Sequence, residues 1–236
     1  MSWADGRLCG FDVETTGADP DEARIVSATL VLVGAARPTQ EFHLLVDPGV
    51  EIPAASTAVH GITTERARAE GRAPTDALVE IVRRLRATWE HGLPVVAFNG
   101  SYDFTVLDRE LRRHTEDTLE ITGPVIDPHI IDRALDRRRG KRTLEETCRH
   151  YRVRHDGAHD ATQDALAATR LAWRLARHYP AEVGAAPLPR LHEQQKLWSQ
   201  EWADSLNRYW QSQGQDRSAD GSWPVRPHPA RRPVPS

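Results

Sequence analysis

The stretch CGFDVETTG, residues 9–17, sets apolar residues against two acids, Asp12 and Glu14, placed two positions apart. On a strand such neighbours project from the same face, and Val13 points the other way. Two like charges side by side near a core are costly unless a cation or a proton offsets them. A strand end where both acids reach water would explain them equally well, and the D-x-E pattern alone is weak. Around this stretch, residues 7–13, 25–33 and 41–46 read as β-branched and apolar strands. No helix-length segment separates them, which predicts an antiparallel meander. A helical period then runs through Leu78, Val79, Ile81, Val82, Leu85 and Trp89, ending at Gly92. A strand at 94–99, a helix at 101–113, a short strand at 124–128 stopped by Pro128, and two or three further helices follow, the last over 160–178. A meander followed by alternating strands and helices predicts an α/β fold, a mixed sheet with helices on its faces.

Two later acids sit in comparable contexts. Asp103 lies in VVAFNGSYDF, just past a buried strand where a helix begins, the end of an α/β sheet at which sites assemble. It also reads as an ordinary first-turn acid complementing the helix dipole. In HDATQDA, Asp160 and Gln163 have the spacing of a capping box, which makes His159 and Asp164 the pair that meets across the helix start. A solvent-facing His159 and an ordinary early-helix Asp164 are the plain alternative. Taken together, the three places supply four carboxylates and one imidazole. Oxygen-only ligands favour Mg²⁺ or Mn²⁺ over zinc. Two such ions about 4 Å apart suit attack of water on a phosphodiester, with a histidine as general base.

With these motifs the chain resembles the DEDDh (DnaQ-like) 3′–5′ exonucleases, the family of the proofreading epsilon subunit of bacterial DNA polymerase III and of ribonuclease T. FDVETTG is similar to its first motif, FNGSYDFTVLDREL to its second and HDATQDA to its third; VHGIT (59–63) and VIDP (125–128) resemble a loop and a short strand of the family. The resemblance covers about residues 7–178. It implies a ribonuclease H-like five-stranded mixed sheet with helices on both faces. It also implies that Asp12, Glu14, Asp103 and Asp164 hold two Mg²⁺ ions, with Mn²⁺ able to substitute. Asp12 would bridge the ions, and His159 would deprotonate the attacking water. Position 160, where the sister subfamily carries Tyr, is Asp. Thr15, Thr16 and Gly17 would meet the terminal nucleotide, Asn99 would orient it, and His60 is a further candidate contact.

The composition sets wider bounds. The chain has 236 residues and a formal net charge of −3, so a polyanion would be held by a local basic channel or by metal ions. Such a channel is sought in DRALDRRRGKR (132–142), which carries Arg133, Arg137, Arg138, Arg139, Lys141 and Arg142, although a solvated helix face reads as well. Two cysteines without C-x-x-C spacing, no signal-peptide core and no membrane-length apolar run predict a cytoplasmic protein. The domain organisation expected is an exonuclease domain over 1–180, a helical extension over 181–213 and a Pro-rich, slightly basic, disordered tail over 214–236. In the extension Trp198, Trp202, Leu206 and Trp210 recur at one-turn steps, either as an amphipathic face packed on its own domain or as a surface for a homodimer, polymerase or clamp partner through 190–212. QQKLW (194–198) loosely resembles a sliding-clamp peptide. The expected activity is release of nucleoside 5′-monophosphates from the 3′ end of DNA, in repair or proofreading. The alternatives are a 3′–5′ exoribonuclease, because these motifs do not read the 2′-OH, and a non-catalytic nucleic-acid-binding or assembly module.

Overall fold

The computed structural model describes residues 2–156 and 161–229. Three strands, β1 (Arg7–Thr15), β2 (Ile25–Gly34) and β3 (Gln40–Leu45), form the antiparallel meander. Helices α1 (Ala54–His60), α2 (Thr64–Glu70) and α3 (Pro74–Glu90) lead to β4 (Val95–Val96), followed by α4 (Ser101–His114) and β5 (Val125–Ile126). Then come α5 (Pro128–Leu135), α6 (Leu144–Tyr151), α7 (Ala161–His178) and, after a π-type turn at Pro180–Gly184, α8 (Leu188–Ser212). The sheet order is β3-β2-β1-β4-β5, with β4 and β5 running parallel to β1. This is the mixed five-stranded α/β sheet expected, although β4 and β5 pair over only two residues each. The segment around VHGIT holds the end of α1 and the cap of α2 rather than a plain loop.

Alternation along β1 sorts the core into two layers. Cys9, Phe11 and Val13 face α3 and α4, where Leu78, Ile81, Leu85, Phe104 and Leu107 are buried. Leu8 faces the other way, into the layer built on Ala168, Leu171 and Leu175 of α7. Gly10 belongs to that second face. A Cβ there would lie 2.6 Å from the Ala165 carbonyl oxygen, so only glycine lets α7 approach β1 this closely. Asp12 and Glu14 follow on the same face, further along the strand.

Helix α8 completes the sheet. β5 is an edge strand whose polar groups need partners. His192 Nδ1 accepts from Val125 N at 3.0 Å, Gln195 Nε2 donates to the Val125 carbonyl at 3.0 Å, and Gln195 Oε1 accepts from Asp127 N at 2.6 Å. QQKLW therefore lies inside a helix that caps the sheet, not in an extended peptide, and Trp198 packs against both core layers. The expected tail departs from the sequence reading over 214–229. Trp223 is buried in the core, its indole N–H reaching Asp127 Oδ2 at 3.3 Å and its ring centroid 4.9 Å from that of His192. Arg109 donates to the Pro227 carbonyl at 2.7 Å, and Arg226 N donates to Thr105 Oγ1 at 3.0 Å. Residues 214–229 thus form a strap over α4 rather than a disordered tail, and 230–236 lie outside the described residues.

Candidate active site

The site forms at the carboxyl ends of β1, β4 and β5, where the parallel strands stop short. Odd residues of β1 direct their N–H groups toward β4, as Cys9 N does to the Pro94 carbonyl at 3.1 Å. β4 ends before it reaches Val13, and the Val13 N–H is taken instead by Asp103 Oδ1 at 3.1 Å. Asp103, in the first turn of α4, therefore sits at the open edge of the sheet beside the strand that carries Asp12 and Glu14. It is buried, and burial holds its pKa well above the ordinary carboxylate range; Asp127 and Glu14 push it the same way, against the Val13 N–H.

On the neighbouring side, Asp12 and Asp164 line one cleft of about 530 Å³, together with Phe98, Asn99, His129, Lys141, Arg142, Thr143 and Leu144. The turn after β4 shapes its wall. Asn99 takes a left-handed φ of 58°, a conformation asparagine tolerates better than most residues. The turn is held by Asp127, whose two carboxylate oxygens accept from Asn99 N and Gly100 N, each at 2.9 Å. Burial raises the Asp127 pKa to about 6 despite these donors. Burial also lowers the pKa of His129 to about 3, helped by Arg133, Arg142 and Arg138, so this ring stands in the cleft as a neutral imidazole.

The other candidate residues gather at the same end of the sheet. Thr15 Oγ1 lies 2.5 Å from Tyr102 OH and donates to the Gly17 carbonyl at 2.9 Å, and Tyr102 OH also donates to that carbonyl. Thr16 Oγ1 accepts from Arg24 N at 2.9 Å, and Ser56 Oγ donates to the Thr16 carbonyl at 2.9 Å. The Thr15–Gly17 loop is thus braced from α1 and from α4. His60 stands beside the Thr15 carbonyl, and burial lowers its pKa although that carbonyl works in the opposite direction.

His159 and Asp160 lie outside the described residues, and with them the expected general base and helix cap. The imidazole placed against Asp164 is that of His155, with Nε2 at 2.5 Å from Oδ1. His129, Tyr102, Asp127 and His155 stand at this candidate site without having been singled out by motif spacing, whereas Lys141, from the basic stretch, does line the cleft. The basic stretch 132–142 divides in two. Arg138 and Arg142 are tied to the buried Asp132 carboxylate at 2.9 and 2.5 Å, whereas Arg137, Arg139 and Lys141 are exposed and make no ion pair among the described residues.

The fit to divalent cations rests on donor chemistry. Among the described residues no three His, Cys, Asp or Glu side chains are grouped as a ready cage. Yet the four carboxylates are all-oxygen donors at one end of the sheet, and Asp103 is buried facing further carboxylates. A cation is what would offset the cost of ionising such a group.

A fold and a carboxylate-lined cleft of this kind define a nuclease domain. The chain belongs to the exonuclease family, whose model matches residues 9–172. It is 40% identical over 103 residues to a DNA polymerase III subunit epsilon-like protein of Rhodobacter capsulatus, covering 42% of this chain and 14% of that relative. It is 30% identical over 121 residues to DNA polymerase III PolC-type of Streptococcus pyogenes, covering 51% of this chain and 8% of that one. Among solved structures, exonuclease I from Methylocaldum szegediense superposes with a TM-score of 0.59 at 20% identity, over 74% of this chain and 41% of that one. Exonuclease I of E. coli in complex with a dT13 oligonucleotide gives 0.56 at 17% identity, over 74% and 42%. These superpositions carry the fold. The chain therefore spans well under half the length of each of these proteins. Among the described residues no helix is long and apolar enough to cross a membrane.

Proposed function

We propose that this chain is a metal-dependent 3′–5′ exonuclease acting on DNA with single-stranded or frayed 3′ ends. The observation that carries the reading is the meeting of Asp12 from β1 and Asp164 from α7 in one cleft, with Asp103 at the adjoining sheet edge. Asp12, Glu14, Asp103 and Asp164 would hold two Mg²⁺ ions. When bound, such ions supply an activated water and neutralise charge on the phosphodiester. The braced Thr15–Gly17 loop, with Asn99 from the cleft wall, would seat the terminal nucleotide, and His60 would support the loop through Thr15. His159 would take the proton of the attacking water. DNA as substrate is supported by the names of the polymerase relatives and by the oligonucleotide bound to E. coli exonuclease I.

The reading is tested with 5′-labelled and 3′-labelled single-stranded DNA, duplex DNA and RNA in Mg²⁺. The expected result is immediate release of labelled mononucleotide from the 3′ label, progressive shortening from the 5′ label, and faster turnover of DNA than of RNA. Internal cleavage, shortening from the 5′ end, or an unchanged rate in EDTA would contradict it.

A further inference from the structure

A second groove of about 300 Å³ lies between α5 and α8, lined by Ile130, Arg133, Ala134, Trp198, Ser199, Glu201, Trp202 and Ser205. It is joined to the cleft by side chains in contact. His129 lines the cleft, and one helical turn later Arg133 donates to its Nε2 at 2.8 Å. The Arg133 guanidinium then lies over the Trp202 ring, 3.9 Å from its centroid. Trp202 remains 37% exposed, a large flat surface left open on α8. Ser199 and Ser205 flank it at roughly one-turn spacing, offering hydroxyl groups beside the ring. Arg137, Arg139 and Lys141 lie exposed in the segment that leaves α5 and returns to the cleft. Glu201 is the one carboxylate among the lining residues.

An aromatic face backed by a guanidinium, with hydroxyls beside it and free cations nearby, is the chemistry that holds unpaired bases and their phosphates. We propose that the α5–α8 groove holds the single strand running away from the cleft, with a base stacked on Trp202 and the backbone passing Ser199, Ser205 and Arg133. This rests on the exonuclease reading and extends it, because substrate affinity would then depend on strand length beyond the terminal nucleotides. It also gives the Trp-bearing helix a use beyond capping β5.

The test separates binding from turnover. Fluorescence anisotropy reads the Kd of 5′-labelled oligothymidylates of two and ten nucleotides with hydrolysis-resistant phosphorothioate linkages. It is run on wild type, Trp202→Ala, Ser205→Glu and, as a control on the far side of α8, Leu197→Ala. The expected result is a ten-nucleotide strand bound at least tenfold tighter than the dinucleotide by wild type and Leu197→Ala, about 1.4 kcal/mol or more. Trp202→Ala and Ser205→Glu should lose most of that difference while keeping the wild-type circular dichroism. An undiminished length dependence in both variants overturns the proposal. So does a Trp202→Ala protein that changes oligomeric state without changing oligonucleotide binding, which would make the groove a protein interface. Trp202-dependent binding without hydrolysis of ordinary DNA would sink the exonuclease reading and leave the groove standing. Hydrolysis of DNA with no Trp202 dependence would do the reverse.

Discussion

At the scale of single residues, the cleft separates histidines by environment. His155 commits Nε2 to Asp164, and its side chain is only 7% exposed, so it is placed to hold a carboxylate rather than to meet a water. We therefore expect His155→Ala to cost less than tenfold in kcat. His159→Ala should cost about 10²–10⁴-fold, the span of a general base, with partial recovery at high pH. The reverse order in single-turnover rates would move the base to His155. His129 makes a different prediction. Its imidazole takes a proton near 6.5 when free and only near 3 in the fold, because burial and three arginines disfavour the charge. Between those values the unfolded chain binds more protons, so stability falls as pH drops below 6.5 toward 3. The loss from this one group between pH 7 and pH 5 is about 2 kcal/mol. Urea unfolding in EDTA should show His129→Gln losing less stability than wild type over that interval, by about that amount; equal losses would contradict a buried neutral ring.

At the scale of elements, the approach of α7 to β1 sets the distance between Asp164 and Asp12. Gly10→Ala would put a Cβ 2.6 Å from the Ala165 carbonyl and 2.8 Å from Val31 Cγ2, so α7 must shift. The expected cost is about 1–3 kcal/mol. Activity should fall at least tenfold at temperatures where the variant is still folded, because Asp164 precedes Ala165 and moves with it. Unchanged kcat would mean the helix does not set the site. The elements differed in how far they could be read from sequence. The meander, α3 and α4 carry long apolar patterns, and each spans close to the residues expected. The paired parts of β4 and β5 proved shorter, because apolarity continues through Ala97 and Phe98 after the ladder has ended. Helices α1 and α2 have seven residues each, too few for a period to register, and both are set by capping at Gly61 and Thr63.

At the scale of the molecule, the C-terminal strap ties α4, β5 and α8 into the body that carries the site. A polar, Pro-rich composition conceals this, because one buried tryptophan and backbone carbonyls taken by Arg109 do the anchoring. Trp223→Ala should lower stability by about 3–5 kcal/mol, read as a fall in the urea midpoint. A change under 1 kcal/mol would mean the strap rests on the surface only. That Asp12 and Asp164 would meet in one cleft, with Asp103 beside β1, was legible because D-x-E on a strand and acids in the first turns of α4 and α7 are local patterns. Asp127 and His129 were not, because they reach the cleft from a turn and a helix start whose course depends on tertiary packing. Asp12, Glu14, Asp103 and Asp164 are proposed to form one metal-dependent hydrolytic site. Its most direct measurement is mononucleotide release from 3′-labelled single-stranded DNA by wild type, Asp12→Ala and Asp164→Ala, each with Mg²⁺ and with EDTA, with circular dichroism confirming the fold. Release by wild type in Mg²⁺ alone is expected, with both variants folded and inactive; release by either variant at the wild-type rate, or by wild type in EDTA, would contradict a metal site built on these acids.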